Sequence, residues 1–235
     1  MLNVNSFQSF GAVDGPGVRF VVFLQGCNLK CSYCHNPETI ENKENTLLTP
    51  DELLSKIKRY ESYIKEKGGV TFSGGEPLLQ AKELIPLVKL LKEEGYHIAL
   101  DTNGSVLNEW VKELLTYIDL VLLDMKMPSE ELYHKYIGCE LSKVNSFFNY
   151  LCDIEKKVWI RQVIVEGIND TKENTDFLKN IKKHKNVEKI ELLPFKKLCI
   201  EKYKKLGIPF PMEGHNETDI FVINKLNNVL NSDGN

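Results

Sequence analysis

The sequence predicts an α/β fold in which parallel strands alternate with outer helices. Continuous apolar, β-branched runs such as residues 18–25 (VRFVVFLQ) are typical of strands that are buried on both faces. Amphipathic stretches with helix caps separate these runs. About six strand–helix pairs follow one another, which implies right-handed crossovers between parallel strands. The pattern alone leaves open whether the sheet is an open doubly wound sheet or an incomplete barrel.

The first predicted helix covers residues 48–69. Thr49 is a good N-cap, Pro50 suits the first helical position, and Glu52 completes a capping box. Strands and helices then alternate along the rest of the chain. The predicted elements are a strand at 70–73, a helix at 78–95, a strand at 97–103, a helix at 107–118, a strand at 119–126, helical pieces at 129–155, a strand at 157–167, a helix at 172–184, a strand at 187–195 and a helix at 217–231.

Length and composition are ordinary for a globular protein. The chain has 235 residues, 42% apolar residues and a net charge of -3, so charge gives no general case for nucleic-acid binding. No linker or repeat interrupts residues 1–235, which predicts a single domain. There is no apolar run of membrane-spanning length and no basic start followed by an apolar run, so we expect a cytoplasmic protein.

Polar and metal-binding residue types follow directly after the predicted strands. Because the carboxyl ends of parallel strands meet at one edge, these residues are expected to lie together. The stretches concerned are GCNLKCSYC (26–34), SGGEP (73–77), DTNG (101–104), DMK (124–126) and LPF with Lys196. Chemistry is therefore predicted at this edge.

Three of the six cysteines form the pattern Cys27-x3-Cys31-x2-Cys34. Thiolates bind zinc or iron–sulfur clusters, but a structural zinc site needs a fourth ligand, and no second Cys pair follows at zinc-ribbon spacing. A disulfide is disfavoured in a reducing compartment. The remaining interpretation is a four-iron cluster with one iron left open for a small molecule. A zinc-binding interaction protein is the distant alternative.

The scattered cysteines show no ligand spacing. Cys139, Cys152 and Cys199 are predicted to be buried small hydrophobic residues.

The cysteine pattern, with an aromatic residue before the last cysteine, resembles that of the radical S-adenosylmethionine (SAM) enzymes. SGGEP resembles that family's motif after the second strand. The stretches SFGAVDGPGVRFVVFLQGCNLKCSYCHNP, DTNG, LLDMK, WIRQVIVEGIND and EKIELLPF extend the resemblance over residues 9 to about 214, toward the family's glycyl-radical-enzyme activases. The resemblance implies a partial (β/α)6 barrel, a [4Fe-4S] cluster whose open iron is chelated by SAM, and abstraction of a hydrogen atom from a glycine Cα of a partner enzyme.

The resemblance also implies residue roles. Cys27, Cys31 and Cys34 would be the cluster ligands and the catalytic residues. The residues implied to bind the cofactor are Tyr33, His35, Gly74, Gly75, Glu76, Asp101, Thr102, Asp124, Met125, Lys126, Arg161 and Lys196. Asp101 and Thr102 would also hold a monovalent cation, and Asp14, in DGPGVRF (14–20), would contact the substrate peptide.

Several of these residues have simpler interpretations. DTNG and SGGEP are also turn sequences, and Asp124 with Lys126 could be an internal ion pair. Arg161 requires an anion if it is buried, or it reaches solvent from an edge strand. Lys196 stands where the family pattern has a histidine, and a lysine cannot mimic a neutral imidazole.

The expected partner is a glycyl-radical enzyme, with pyruvate formate-lyase the leading candidate. Residues 35–69 contain no cysteine, so the cysteine-rich insert of many other activases is absent. An activase for another glycyl-radical enzyme and a radical SAM enzyme acting on a small molecule stay open as alternatives. Flavodoxin or ferredoxin is the expected electron donor, a monomer is the expected state, and Lys-rich stretches would either dock the donor or form solvated helix faces.

Overall fold

The computed structural model describes residues 1–41 and 43–232, so Asn42 and the last three residues of the predicted domain lie outside it. The fold is α/β, with strands that are mostly parallel and helices between them, as the sequence predicts. The chain forms two compact units. The first unit comprises Met1–Asn28 and the described residues of Thr39–Leu123, and the second comprises Leu29–Glu38 and the described residues from Asp124 on.

The first unit contains a sheet whose strands lie in the order β3-β1-β2-β4-β5-β6. Their bounds are β1 Leu2–Gly11, β2 Arg19–Leu24, β3 Thr46–Leu48, β4 Gly69–Gly74, β5 Ile98–Thr102 and β6 Leu120–Asp124. Neighbours from β2 to β6 pair in parallel, whereas β1 pairs antiparallel with both β2 and β3. The strict alternation predicted from the sequence is therefore wrong at the amino terminus, where two antiparallel strands are added.

The helices of the first unit follow the predicted stretches. Their bounds are α1 Pro50–Lys58, α2 Glu61–Ile64, α3 Ala81–Glu93 and α4 Glu109–Tyr117. The predicted capping box is present: Glu52 N donates to Thr49 Oγ1 over 3.2 Å, and Thr49 N donates to Glu52 Oε2 over 2.8 Å. The single helix predicted over 48–69 is wrong, because the chain leaves the α1 helix after Lys58 and resumes as α2 at Glu61.

The parallel strands supply the core of the first unit. Val21 and Val22 on β2, Phe72 on β4, Leu100 on β5 and Val121 on β6 are completely buried. Burial of both faces explains why these strands are continuous apolar runs. Strand β1 lacks such a run, since its second half is exposed.

The second unit contains two parallel strands and five helices among its described residues. The bounds are α5 Glu130–Tyr136, α6 Leu141–Asp153, β7 Val158–Ile164, α7 Lys172–Lys182, β8 Val187–Pro194, α8 Ile200–Leu206 and α9 Ile220–Asn231. Helix α8 was not predicted from the sequence. Within residues 1–41 and 43–232, every helix is too short or too polar to cross a membrane.

Candidate functional site

The loop after β4 lies directly against the loop that begins the cysteine motif. Gly75 N donates to Leu24 O and Glu76 N donates to Gly26 O, both over 2.8 Å. A Cβ on Gly75 would lie 2.1 Å from Gly26 O, so only glycine permits this approach. The glycines of SGGEP are therefore explained by packing, because they let this motif lie against the start of the cysteine loop.

Glu76 bridges the loops after β4 and β5. Its side chain is completely buried, and it accepts hydrogen bonds from Leu78 N (3.0 Å), the hydroxyl of Thr102 (2.5 Å) and Asn103 N (2.8 Å). Burial raises the pKa of the Glu76 carboxyl to about 7, and these three bonds act in the opposite direction. Glu76 therefore holds two loops in position, a role the sequence did not reveal.

Further polar side chains form hydrogen bonds along the same edge. Ser73 donates its hydroxyl to Asp101 Oδ2 over 2.7 Å. Asn103 Nδ2 donates to Asn28 Oδ1 over 3.3 Å, and Asn28 Nδ2 donates to Ser105 Oγ over 2.7 Å. Glu76 and Asp101 thus each bond to polar neighbours at this edge. Ser73, Asn103 and Asn28 lie in the stretches that the sequence placed after strands, but the sequence did not single them out as site residues.

In the second unit, backbone hydrogen bonds fix the cysteine loop. Lys30 N donates to Ile137 O over 3.3 Å, and Ser32 N donates to Tyr136 O over 2.8 Å. The carbonyl of Cys34 accepts the hydroxyl of Tyr203 over 3.2 Å. Burial raises the pKa of the Cys31 thiol to about 11, and the nearby Lys126 ammonium acts in the opposite direction.

Asp124 and Lys126 form an ion pair, with 2.6 Å between Lys126 Nζ and Asp124 Oδ2. The simpler interpretation of these two residues is therefore present in the structure. Burial lowers the pKa of Lys126, but the Asp124 carboxylate, together with Cys31 and Tyr33, outweighs burial, so the net pKa is raised. Tyr33 is buried in this neighbourhood, and its hydroxyl has no hydrogen-bond partner among the described residues. A buried orphan hydroxyl is the kind of group that a polar ligand would satisfy.

Arg161 lies mostly buried on β7, with 3.8 Å between its Nε and Glu191 Oε2 on β8. The anion that the sequence required is thus supplied by the neighbouring strand, where Glu191 also pairs with Lys189. Met125 is completely buried, and its backbone N donates to Arg161 O over 3.0 Å.

His35 meets the backbone of Lys196 rather than its side chain. His35 Nε2 lies 2.8 Å from Lys196 O. The Lys196 ammonium instead lies 3.2 Å from Glu217 Oε2, and the side chains of Lys196 and Glu217 are 40% and 42% exposed.

Asp14 lies at the other end of β2. It precedes the strand, whereas Cys27 follows it, and six residues of strand span about 20 Å. Asp14 is 9% exposed, and its backbone carbonyl accepts the hydroxyl of Thr71 over 2.7 Å. The implied peptide contact is therefore at the amino-terminal edge of the parallel strands, away from the cysteine loop.

The donor set suits an iron–sulfur cluster. None of the six cysteines, all of them among the described residues, is in a disulfide, and Cys27, Cys31 and Cys34 are each partly buried. Thiols at this spacing are soft ligands of the kind such clusters use. Among the described residues, no three His, Cys, Asp or Glu side chains are grouped so as to hold a single metal ion. The ligand assignment therefore rests on the motif and on thiols that no disulfide engages.

The scattered cysteines differ from one another. Cys139 and Cys199 are buried as predicted. The prediction is wrong for Cys152, which is only partly buried, with its Sγ 3.4 Å from Nδ1 of His184.

Comparison with known proteins identifies relatives over most of the chain. A family model described as the Radical SAM superfamily matches residues 21–189. The chain is 47% identical over 214 residues to a pyruvate formate-lyase-activating enzyme of Clostridium pasteurianum, covering 90% of each chain. It is 38% identical to the pyruvate formate-lyase 1-activating enzyme of Escherichia coli, covering 90% of this chain and 87% of that one.

Solved structures agree on the fold. A domain of a pyruvate-formate lyase-activating enzyme from Bacteroides vulgatus matches with a TM-score of 0.56 and 25% identity, covering 69% of this chain and 92% of that one. Streptococcus suis SuiB bound to its precursor peptide matches with a TM-score of 0.68 and 17% identity, covering 94% of this chain and 46% of that one. The second likeness concerns the fold alone.

Proposed function

The chain belongs to the radical SAM superfamily, and from this premise we propose that it activates pyruvate formate-lyase by abstracting a hydrogen atom from a glycine Cα of that enzyme. The observation that carries the proposal is the Cys27-x3-Cys31-x2-Cys34 loop, against which the SGGEP loop is packed through Gly75. The radical SAM family model matches residues 21–189, which include both loops, and the similarity to an activating enzyme covers 90% of the chain.

Cys27, Cys31 and Cys34 would hold the [4Fe-4S] cluster, which leaves one iron for SAM. Together the bound cluster and SAM supply the one-electron chemistry that removes the glycine hydrogen. The protein's own contribution is to hold these groups and to keep water from them. The buried Tyr33 hydroxyl and the pair formed by Lys126 and Asp124 are the polar groups of the second unit that we assign to SAM.

In the first unit, we assign the methionine end of SAM to the loops that Glu76 ties together. Gly74 and Gly75 would contact SAM through their backbone atoms. Glu76 would orient these loops rather than contact SAM, because its oxygens already accept three hydrogen bonds. Asp101 and Thr102 are the proposed ligands of a monovalent cation, which would offset the crowding of two carboxylates.

We assign the partner's glycine segment to the turn at Asp14. Because this turn lies at the amino-terminal end of β2, the segment would enter at that end and extend along the strands toward the cysteine end. A glycine in an extended, loosely held loop of the partner is the substrate that such an approach requires.

Flavodoxin or ferredoxin is the proposed electron donor. Three lysines near the end of the chain, Lys196, Lys202 and Lys204, pair with carboxylates of the same chain, so less of their charge is available for docking. We therefore expect docking to depend weakly on salt. The proposal includes a monomer in the cytoplasm, where a reducing environment preserves thiolate ligands.

The test is electron paramagnetic resonance of the reduced protein, purified without oxygen, with and without SAM. A four-iron signal whose shape changes on adding SAM is expected. Addition of pyruvate formate-lyase from Clostridium pasteurianum should then give a stable glycyl radical signal that requires both SAM and the reductant. A colourless protein with stoichiometric zinc would contradict the proposal.

A further inference from the structure

Arg19, the first residue of β2, is a completely buried arginine. Its Nε donates to Thr71 Oγ1 over 3.0 Å, and its Nη1 donates to Pro16 O over 3.4 Å. Its Nη2 donates to Val70 O over 2.5 Å. A buried guanidinium is costly unless its donors are satisfied, and here the acceptors come from β4 and from the turn before β2.

The hydroxyl of Thr71 connects Arg19 to Asp14. Because an arginine can only donate, Thr71 Oγ1 accepts the bond from Nε, and its one hydrogen is left for another acceptor. That acceptor is Asp14 O, 2.7 Å away. Both ends of the 14–16 segment are thus tied to the same buried cation, Asp14 through Thr71 and Pro16 directly.

His97 completes the surroundings of the guanidinium. Its Nδ1 lies 3.1 Å from Arg19 Nη1, so Nδ1 is the acceptor and the ring is the neutral tautomer with hydrogen on Nε2. Burial lowers the pKa of His97, and the Arg19 charge lowers it further. Burial also lowers the pKa of Arg19, to about 10, which leaves the guanidinium charged at neutral pH.

The turn before β2 packs closely against the protein on one side and is exposed to solvent on the other. Gly17 has φ +70°, and a Cβ there would lie 1.4 Å from Lys67 O. Val13, by contrast, is 68% exposed. The backbone of the turn is held from the inside while an apolar side chain beside it faces solvent.

We propose that Arg19 and Thr71 are positioning residues that preset the backbone of the 14–17 turn for the partner's glycine segment. This inference rests on the function proposed above, because it takes the Asp14 turn as the site for that segment. A loop that is already ordered does not lose conformational freedom on binding, so affinity for the partner increases. Neither residue lies at the cysteine end of the strands, so SAM cleavage should not depend on them.

The test compares Thr71→Val with Thr71→Ser in the full-length protein carrying its reconstituted cluster. The valine keeps the shape and removes the hydroxyl, whereas the serine keeps the hydroxyl. The apparent KM for Clostridium pasteurianum pyruvate formate-lyase is measured from initial rates of glycyl radical formation. 5′-Deoxyadenosine formed without the partner is measured in parallel. Loss of a buried hydrogen bond should raise this KM by about fivefold or more in Thr71→Val, with kcat and SAM cleavage unchanged, and Thr71→Ser should restore it.

Thr175→Val is the matched control. Thr175 is a buried threonine whose hydroxyl also donates to a backbone carbonyl, Lys172 O at 2.8 Å, but it lies on α7 of the second unit. This variant should leave the KM for the partner unchanged. If Thr71→Val does not fold, Thr71→Ala provides the same comparison with room for a bridging water.

The outcomes separate the two proposals. Normal SAM cleavage with an unchanged KM in the folded Thr71 variant would overturn the positioning role alone. An equal fall in SAM cleavage and in partner turnover would also overturn it, since that is the mark of a general structural defect. A wild-type protein that forms no 5′-deoxyadenosine would overturn the proposed function itself.

Discussion

Thr102 donates its hydroxyl to Oε1 of the completely buried Glu76 across 2.5 Å, which joins the end of β5 to the loop after β4. Replacement of Glu76 by alanine would leave this hydroxyl and the backbone N–H groups of Leu78 and Asn103 without their acceptor. Because buried donors without partners are costly, we expect Glu76→Ala to lower the free energy of unfolding by about 3 kcal/mol. Urea unfolding without oxygen measures it.

Glu66→Ala is the control for Glu76, since Glu66 is exposed. A change below about 0.5 kcal/mol in Glu76→Ala, the range of ordinary surface substitutions, would contradict the bridging role. Glu76→Gln should be intermediate, because the amide keeps one acceptor oxygen.

The cysteines offer a direct test of the ligand assignment. We expect Cys31→Ala to lose the four-iron spectrum and all glycyl radical formation, because a cluster held by two thiolates is not retained. Cys152→Ala should keep both, since Cys152 contacts His184 on a different part of the second unit. Iron content and absorbance after reconstitution measure the outcome, and a four-iron spectrum in Cys31→Ala would refute the assignment.

The parallel strands were predictable because burial on both faces requires continuous apolar runs, as in β2 and β4. Strand β1 was missed because its sequence, LNVNSFQSFG, contains Asn and Ser and has an exposed second half. β1 is a strand because it pairs with β2, and this pairing is a tertiary contact that the local sequence does not show. The break between α1 and α2 was missed because Ile64 continues the buried stripe without a Gly or Pro at the break.

The candidate site was predictable where polar residues stand at the carboxyl ends of strands, as Asp101 does near the end of β5 and Asp124 at the end of β6. The structural role of Glu76 was not predictable. A glutamate that accepts three buried hydrogen bonds and a glutamate that binds a cofactor look the same in a sequence. Thr71 gave no indication at all. It stands inside the apolar run of β4, where a threonine is an ordinary strand residue, and only the fold brings Asp14 and Arg19 to its hydroxyl.

The burial of His97, together with the charge of its neighbour Arg19, makes stability depend on pH. The pKa of His97 is lowered in the folded state, so between that value and about 6.5 the unfolded chain binds more protons. The stabilisation that neutral His97 contributes is complete above about pH 6.5 and is lost as the pH falls through the pKa of His97 in the folded state. Among the charged groups around His97, Asp119 opposes the shift, while Arg19 and Lys92 reinforce it.

We therefore expect the wild-type protein to lose more unfolding free energy between pH 7.5 and pH 5.5 than His97→Gln does, since glutamine does not titrate. Denaturant unfolding of the reconstituted protein at both pH values measures the difference. Equal losses in the two proteins would mean that His97 is not responsible.

The resemblance to the family implies a histidine at the position of Lys196, but the contact of Lys196 with His35 is made by its backbone oxygen, at 2.8 Å. The side chain instead pairs with Glu217 in an exposed ion pair, of a kind that contributes at most about 1 kcal/mol. We therefore expect Lys196→Ala to form glycyl radical at a rate within about fivefold of wild type, the ratio that this energy corresponds to. Lys196→His should behave similarly, because both variants keep the backbone carbonyl. A rate of glycyl radical formation that falls a hundredfold or more in Lys196→Ala, and that Lys196→His restores, would instead show that a side chain at this position reaches SAM directly. Initial rates at saturating SAM and at low SAM would show whether SAM binding or turnover is affected.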